Sequence, residues 1–286
     1  MASARTRAPE IAGGATGARP KVSVREVVKH FQKPNGEIYP ALGPVSFSAP
    51  AGSFTAIVGP SGCGKSTLLH MVAGLSRPTA GEVLVDGAPV RGISRSAGFL
   101  FQDDALLPWR TVEQNIGLGL KLRKFSRAEV QERTRAWIHR VGLDGFARHF
   151  PAQLSGGMRK RVAIAQTLIY EPEIILMDEP FAHLDAQARH IMQSDLLDLC
   201  AEYTRTILFV THDLDEAIGM ADTVVVLSAG PNSRIRAVEA VGIPRPRDLL
   251  TIRKEPRFGE LSAALWQVLY EEVRGQYGRP AVGSRQ

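Results

Sequence analysis

The stretch Gly59-Pro60-Ser61-Gly62-Cys63-Gly64-Lys65-Ser66-Thr67 decides how the rest of the chain is interpreted. It fits the phosphate-loop pattern of a glycine, four residues and then Gly-Lys-Ser. The glycines allow a tight turn in which successive backbone N–H groups point at a polyphosphate. Lys65 can reach the β- and γ-phosphates of a nucleotide, and the Ser66 hydroxyl can ligate Mg²⁺. The pattern therefore predicts a nucleotide site.

The residues on either side of this loop have the character that the motif requires. Phe54-Thr55-Ala56-Ile57-Val58 is short and apolar, as is typical of a buried strand. Residues 68–73 predict a helix, and Gly74 can end it. The N-terminus of that helix adds a partial positive charge beside the phosphates. A strand, a glycine loop and a helix in this order make a chance match of the pattern a poor explanation.

Composition limits the class of protein. The chain has 286 residues, a length that suits one large domain or two small ones. Of these residues 44% are hydrophobic, which is enough to bury a core. No apolar run reaches the roughly 18 residues that cross a bilayer, and the first twenty residues lack the apolar core of a secretion signal. We therefore expect a cytoplasmic protein, in which Cys63 and Cys200 stay reduced. The net charge of +6 is scattered along the chain, so we expect no nucleic-acid partner.

Apolar strands alternate with helices beyond the loop. Strands are predicted at residues 173–177, 206–210 and 223–227, with helical patterns between them. Such near-continuous apolar strands indicate a mostly parallel sheet that is covered on both faces. From Val22 to about Phe31, and again around Val45, the pattern is also that of strands.

The region from Leu106 to about Pro151 contains no strand-like run. Ser126-Arg127-Ala128-Glu129 is a capping box that opens a helix. That helix places four apolar residues on one face, namely Val130, Trp137, Ile138 and Val141. We expect a helical insertion between two parts of one α/β sheet. Its boundaries are predicted at about residues 106 and 158.

Polar residues follow several predicted strands, at the edge where such sheets bind ligands. Asp178 comes after a buried strand, where its carboxylate can hold Mg²⁺ directly or through water, and Glu179 can polarise the attacking water. His212 and Gln102 also end strands, and His212 can contact the γ-phosphate. Adjacent acids are commonly solvated surface and a lone histidine is commonly structural, so the residues alone leave both alternatives open.

Leu154-Ser155-Gly156-Gly157 is similar to the signature motif of the ABC-transporter ATPases, and its spacing to the other motifs matches that family. The resemblance covers about residues 22–274. It equates the remaining motifs with the Walker A loop (59–67), the Q-loop glutamine (Gln102), the Walker B strand (174–179), the D-loop (Leu184-Asp185) and the H-loop histidine (His212).

The resemblance implies an α/β fold. A P-loop NTPase core with a mostly parallel sheet would carry an N-terminal antiparallel β portion and the helical insertion. The ATP-binding domain would span residues 21–274, with a C-terminal extension at about 230–274. Residues 1–20 would form a disordered tail and residues 275–286 a flexible one.

The family also implies a site for ATP and Mg²⁺ that is shared between two copies of the chain. Ser155, Gly156 and Gly157 would bind the γ-phosphate held by the other subunit, in a head-to-tail sandwich dimer to which Asp185 contributes. Glu179, His212 and Gln102 would act in hydrolysis, while Ser66, Gln102 and Asp178 would hold Mg²⁺. Adenine would stack on Phe31, for which Tyr39 is the rival.

Two positions depart from the family pattern. Met158 stands where many members carry Gln, and importer-type members often accept Met. His183 stands beside the D-loop, where a small residue is usual. Communication between subunits could therefore differ here, or His183 could be an exposed residue without a role.

Two stretches resemble the nitrate/sulfonate/taurine-type importers in particular. The first is residues 101–109, and the second is residues 243–248 together with a following helix that has Phe258, Leu261, Leu265 and Val268-Leu269 on one face. The chain would then be a peripheral protein on the cytoplasmic face of the cell membrane. It would pair with separate permease subunits and act indirectly with a solute-binding protein. The alternatives are an exporter ATPase with separate membrane subunits, a soluble ABC ATPase outside transport, and a regulatory subunit that does not hydrolyse ATP.

The first of these stretches raises a question about Trp109. Leu106, Leu107 and Trp109 either pack the insertion onto the core or form part of a groove that receives a permease coupling helix. The two interpretations differ in whether Trp109 is buried.

Overall fold

The computed structural model describes residues 20–201 and 205–277. Of the predicted tails, residues 1–19 and 278–286 lie outside the described residues, as do residues 202–204 at the end of one predicted helix. In chain order the described elements are β1 (Val22–Gln32), β2 (Ile38–Ala49), β3 (Phe54–Val58), α1 (Lys65–Val72), β4 (Ala80–Val85), β5 (Ala88–Pro89), β6 (Ala97–Leu100), α2 (Val112–Ile116), α3 (Leu118–Leu122), α4 (Arg127–Arg140), α5 (Gly156–Leu168), β7 (Ile174–Asp178), α6 (Ala186–Ala201), β8 (Thr206–Val210), α7 (Leu214–Met220), β9 (Thr223–Leu227), β10 (Ile235–Ala240) and α8 (Pro256–Tyr277).

A six-stranded sheet in the order β10-β9-β3-β8-β7-β6 forms the centre of the fold. Its strands run parallel except β10, which pairs antiparallel with β9. Every residue of β3, β7 and β8 is buried, because helices or the second sheet cover both faces. The mostly parallel sheet is thereby confirmed, and the carboxyl ends of β3, β6, β7 and β8 share one edge.

A second, four-stranded sheet has the order β2-β1-β4-β5 and is antiparallel throughout. Val22, Val24 and Val27 of β1 face a core that also contains α1. The predicted N-terminal antiparallel portion is confirmed. Helix α1, which follows the phosphate loop, therefore packs between the two sheets.

Only helices and turns lie between β6 and β7 in the described chain, as expected for a helical insertion. Ser126 and Glu129 form both bonds of the capping box at the start of α4. The predicted apolar face of α4 is buried, with Trp137 and Ile138 in the main core cluster. Helix α5 begins at Gly156 and continues to Leu168, so the expected boundary at residue 158 falls inside a helix.

The C-terminal extension packs α8 against α7 and the central sheet. Phe258, Leu261, Leu265 and Leu269 are buried along one face of α8, as the sequence predicts. The helix continues to Tyr277, so residues 275–277 are helical and not part of a tail. None of the described helices is both long and apolar enough to cross a membrane.

Candidate nucleotide site

The loop between β3 and α1 turns on glycines with left-handed backbone conformations. Gly62 and Gly64 adopt φ values of 76° and 95°, which favour glycine. A Cβ at Gly64 would also lie 2.7 Å from a methyl carbon of Leu42. The buried Lys65 ammonium donates hydrogen bonds to the carbonyl oxygens of Gly59 at 2.9 Å and Pro60 at 3.0 Å. One cation is thus fixed in the middle of the loop.

The two cysteines are free thiols. Cys63 is a buried residue of the loop itself, and burial raises its pKa although Lys65 opposes the shift. Burial raises the pKa of Cys200 to about 12. Both side chains therefore act as packing groups, since a thiol with a raised pKa is a poor nucleophile.

Ser66 and Asp178 meet although 112 residues separate them in sequence. The Ser66 hydroxyl donates to Asp178 Oδ1 at 2.9 Å. Burial raises the pKa of the Asp178 carboxyl, and the hydrogen bond from Ser66 works against that shift. A hydroxyl and a carboxylate side by side are the hard oxygen donors that suit Mg²⁺. The donor set therefore fits the metal that the sequence predicts.

Glu179 and His212 form the second pair at this edge of the sheet. His212 Nδ1 lies 3.1 Å from Glu179 Oε2. Glu179 has a φ of 43° and donates its backbone N–H to Val210 O at 2.9 Å. A non-glycine residue in this region costs about 1–2 kcal/mol, and such strain concentrates at functional sites. Glu179 is only partly exposed and contacts the exposed His212, so the two side chains form one polar pair at this edge.

Gln102 lies beyond the end of β6, close to the same edge. Leu100 of β6 pairs with Met177 of β7, so Gln102 comes level with the end of the Asp178 strand. Its carbonyl oxygen accepts a hydrogen bond from Lys160 Nζ at 3.1 Å. Its side chain is exposed, as a residue that contacts a ligand requires.

Ser155, Gly156 and Gly157 begin α5 on the surface. The Ser155 hydroxyl accepts a hydrogen bond from the Met158 N–H at 3.3 Å and caps the helix. A Cβ at Gly157 would meet nothing within 4 Å. In the described part of the chain, no hydrogen bond joins these residues to the phosphate loop. The structure therefore does not bring the signature motif to the loop of the same molecule.

Asp185 caps the next helix. Its Oδ1 accepts the backbone N–H groups of Gln187 at 3.1 Å and Ala188 at 2.9 Å. His183 is exposed beside it, and Met158 packs partly against the main core. Asp185 thus has a structural role in this chain whatever it contacts elsewhere.

Phe31 and Tyr39 are cross-strand neighbours on β1 and β2. Phe31 is exposed, with Lys29 Nζ 5.0 Å from its ring centre. Tyr39 is half-buried. A Cβ built on Gly230 would lie 3.6 Å from the Tyr39 hydroxyl and 3.3 Å from the carbonyl oxygen of Gly62 in the phosphate loop. Phe31 therefore offers the freer ring, while Tyr39 lies closer to the phosphate loop.

Trp109 is not a core residue. Its exposed fraction is 70%, which contradicts the interpretation that it packs the insertion onto the core. Leu106, by contrast, packs against the main cluster. Next to this stretch is a cavity of about 200 Å³ whose lining includes Phe101, Asp104 and Leu122.

Two residues that sequence reasoning missed hold this stretch in place. Asn115 is fully buried. It accepts a hydrogen bond from Leu107 N and donates to the carbonyl oxygens of residues 107, 110 and 111. Lys160 is 3% exposed and forms an ion pair with Asp104 at 2.9 Å. For Asn115, the available signal was an asparagine at the fourth position of a capped helix. For Lys160, which lies in the basic run 159–161, the sequence gave no signal of burial.

Comparisons with known proteins agree with this geometry. A family model described as ABC transporter matches residues 42–182. An uncharacterized ABC transporter ATP-binding protein of Methanocaldococcus jannaschii is 44% identical over 253 residues, covering 88% of this chain and 92% of the relative. The aliphatic sulfonates import ATP-binding protein SsuB of Bacillus cereus is 42% identical over 227 residues, covering 79% of this chain and 88% of the relative.

Solved structures give the same result. The dimeric structure of a bacterial ABC transporter cassette is similar with a TM-score of 0.69 and 32% identity. The similarity covers 78% of this chain and 100% of that one. A dimeric post-hydrolysis state of the cassette, bound to ADP and Pi, matches equally well.

Proposed function

This chain belongs to the ABC transporter ATP-binding family and is an ATPase, and from that premise we propose that it powers the import of a small oxyanionic solute, an aliphatic sulfonate above all. The observation that carries the solute class is the 42% identity to a relative named for aliphatic sulfonate import. The nitrate- and taurine-like solutes belong to the same proposal. Separate permease subunits would form the pathway, with a solute-binding protein delivering the solute to them.

Hydrolysis is assigned to the two side-chain pairs at the edge of the sheet. Lys65 and the loop N–H groups bind the phosphates of ATP and hold the γ-phosphate in place. Glu179 orients the attacking water and accepts its proton, and His212 fixes the Glu179 carboxylate through their contact of 3.1 Å. Ser66 and Asp178 would hold Mg²⁺, with Gln102 joining them, and the metal when bound supplies charge neutralisation on the phosphates.

Completion of the site requires a second copy of the chain. The open N-terminus of α5 at Ser155–Gly157 is suited to an anion but does not reach the phosphate loop of its own chain. We therefore assign these residues to the γ-phosphate bound by a partner copy, with Asp185 at the contact between copies. Such a two-fold arrangement closes two equivalent sites at once.

The exposed surface around Trp109 is assigned to the permease. An exposed tryptophan is typical of the centre of a protein–protein contact. The same stretch of chain also lines the cavity of about 200 Å³, where Phe101 and Leu122 contribute exposed apolar area. The chain would sit on the cytoplasmic face of the cell membrane through this contact.

Reconstitution tests the proposal. The chain is combined with its permease and binding protein in liposomes, and ATP turnover is measured with an alkanesulfonate, taurine, nitrate or an amino acid as solute. We expect alkanesulfonate or taurine to stimulate turnover several-fold and to accumulate inside. Stimulation by the amino acid alone would refute the proposed solute class, and solute movement in the export direction would refute the importer assignment. Either result would leave the ATPase assignment intact.

A further inference from the structure

A buried carboxylate on α7 has no place in the mechanism described so far. Glu216 is 9% exposed at its side chain. Its Oε2 accepts a hydrogen bond from the Thr211 hydroxyl at 2.6 Å, and its Oε1 accepts one from Gln193 Nε2 at 3.0 Å. Arg189 Nε lies 3.9 Å from the same Oε1. Glu216 thus joins α7 to the end of β8 and to α6.

The first of these contacts fixes the backbone on both sides of His212. The Thr211 hydroxyl donates to Glu216 and also accepts the Asp213 N–H at 3.0 Å. Asp213 Oδ1 in turn accepts the Glu216 N–H at 3.2 Å. Thr211 and Asp213 flank His212 directly, so the direction of the imidazole depends on where Glu216 holds them.

The second set of contacts leads to the Leu184-Asp185 loop. Arg189 Nη2 donates to the carbonyl oxygen of Leu184 at 3.2 Å, and the Arg189 backbone N–H donates to that of Asp185 at 2.9 Å. Arg189 Nη1 also lies 3.9 Å from Asp213 Oδ2. Arg189 therefore touches both the loop and the carboxylate that holds the His212 segment.

Burying a carboxylate in this position costs free energy. Burial raises the pKa of Glu216, and only the Thr211 hydrogen bond and the charges of Arg189 and His212 act against that shift. A buried acid that served packing alone would be replaced at lower cost by an apolar side chain. The partners of Glu216 are instead all polar, and they belong to α6 and to the segment that follows β8.

We propose that Glu216 is a positioning residue that couples the orientation of His212 to the position of the Leu184-Asp185 loop. The inference rests on the proposed role of His212 and on the proposed place of Asp185 at the contact between copies. A shift of that loop on dimer closure moves Arg189, and Glu216 passes the movement to Thr211 and so to His212. Hydrolysis is thereby made conditional on the second copy.

The test measures kcat and KM for ATP with the purified full-length chain and needs neither permease nor solute. The variants are Glu216→Gln, Thr211→Val and Arg189→Gln, together with the triple combination. We expect each single variant to lower kcat about tenfold, as loss of a hydrogen bond to a charged group predicts, with KM unchanged within twofold. The triple variant should lose no more than a single one, because all three break the same connection.

The controls separate this role from a loss of folding and from the proposed function. Asp215→Asn alters the neighbouring acid on α7, which pairs with Arg253 at 2.7 Å, and should leave kcat within twofold. If Glu216→Gln lowers the unfolding temperature, the test rests on Thr211→Val and Arg189→Gln, which break the same connection on either side of Glu216. Normal kcat in folded Glu216→Gln, or losses that multiply in the triple variant, would overturn the inference. Normal turnover of His212→Ala would instead overturn the proposed role of His212.

Discussion

The edge of the central sheet that carries the candidate site includes side chains that are held at an energetic cost. Glu179 occupies a left-handed backbone conformation, and Asp178 is buried with its pKa raised. Neither arrangement improves the stability of the folded chain. Both place a carboxylate oxygen where a neighbouring residue can use it, Ser66 in one case and His212 in the other. At the scale of single residues, the site exchanges stability for chemistry.

Asp178→Asn tests that exchange. A carboxyl with a raised pKa in the folded state binds its proton up to a higher pH than in the unfolded chain, so stability falls as pH rises above the ordinary value of 3.8. The amide keeps an acceptor for Ser66 without the charge. Without nucleotide or metal, we expect a higher unfolding temperature at pH 7.5, with the gain shrinking towards pH 4, and turnover about a hundredfold lower. A variant less stable than the parent at pH 7.5 would contradict this account.

Glu179→Gln separates binding from hydrolysis. The variant keeps the size of the side chain and removes the carboxylate that accepts the proton, so hydrolysis should fall about a hundredfold or more. ATP should still bind, and size-exclusion chromatography with ATP should show a stable dimer. Glu171→Gln is the matched control, since Glu171 is exposed and has a similar φ of 54°. Parental turnover in Glu179→Gln would exclude the assigned role.

At the scale of elements, the loop between β6 and α2 is held from two sides. Asn115 of α2 binds three of its carbonyl oxygens, and Lys160 of α5 pairs with Asp104 and with the carbonyl of Gln102. The segment that carries Gln102 and Trp109 is therefore tied directly to the helix that begins with the signature motif. A movement of the insertion must move Gln102 as well.

Trp109→Ala tests the surface of this loop. Because the side chain is exposed, the unfolding temperature and ATP binding of the isolated chain should change little, within about 2 °C for a surface substitution. Binding to the permease should fall at least tenfold in a pull-down or surface-plasmon titration, as is usual for a central aromatic contact.

Two further variants interpret that result. Trp266→Ala removes a tryptophan with a similar exposed fraction of 63% on α8 and should leave permease binding intact. Asn115→Ala leaves buried carbonyl groups without a donor and should lower the unfolding temperature by several degrees. Unchanged permease binding in Trp109→Ala would remove this residue from the interface.

At the scale of the whole molecule, one chain carries two incomplete halves of a site. The phosphate loop with its acids lies at the edge of the central sheet, and the signature motif lies at the start of α5 without a hydrogen bond to it among the described residues. The solved structures that it resembles are dimeric. A two-fold pair of chains would bring each half against the other.

Ser155→Arg tests the pairing. The substitution puts bulk and charge at the expected contact between copies, so ATP should bind normally while ATP-dependent dimerisation fails, measured by light scattering. Ser126→Arg is the control, because Ser126 caps α4 with the same geometry and its loss costs about 1 kcal/mol of stability. That variant should still dimerise. If Ser155→Arg dimerises at the same ATP concentration as the parent chain, the signature motif does not lie at the contact between copies.

The sequence by itself determined what contiguous residues encode. The glycines of the phosphate loop, the apolar run of β7 and the Ser126 capping box each specify local backbone geometry, so these features could be predicted without the fold. The apolar face of α8 was equally predictable from its spacing. The roles of Gln102, Asp185 and the signature motif came from the family resemblance and remain predictions.

Only the tertiary structure decided which distant side chains meet and which are buried. Ser66 and Asp178 are 112 residues apart, and Glu179 and His212 are 33 apart, so no local pattern could establish their contacts. The exposure of Trp109 and the burial of Lys160 were likewise open, because burial depends on which other elements pack over a residue. The contacts and burial of a side chain depend on how the elements are arranged in three dimensions, and short-range patterns in a sequence do not specify that arrangement.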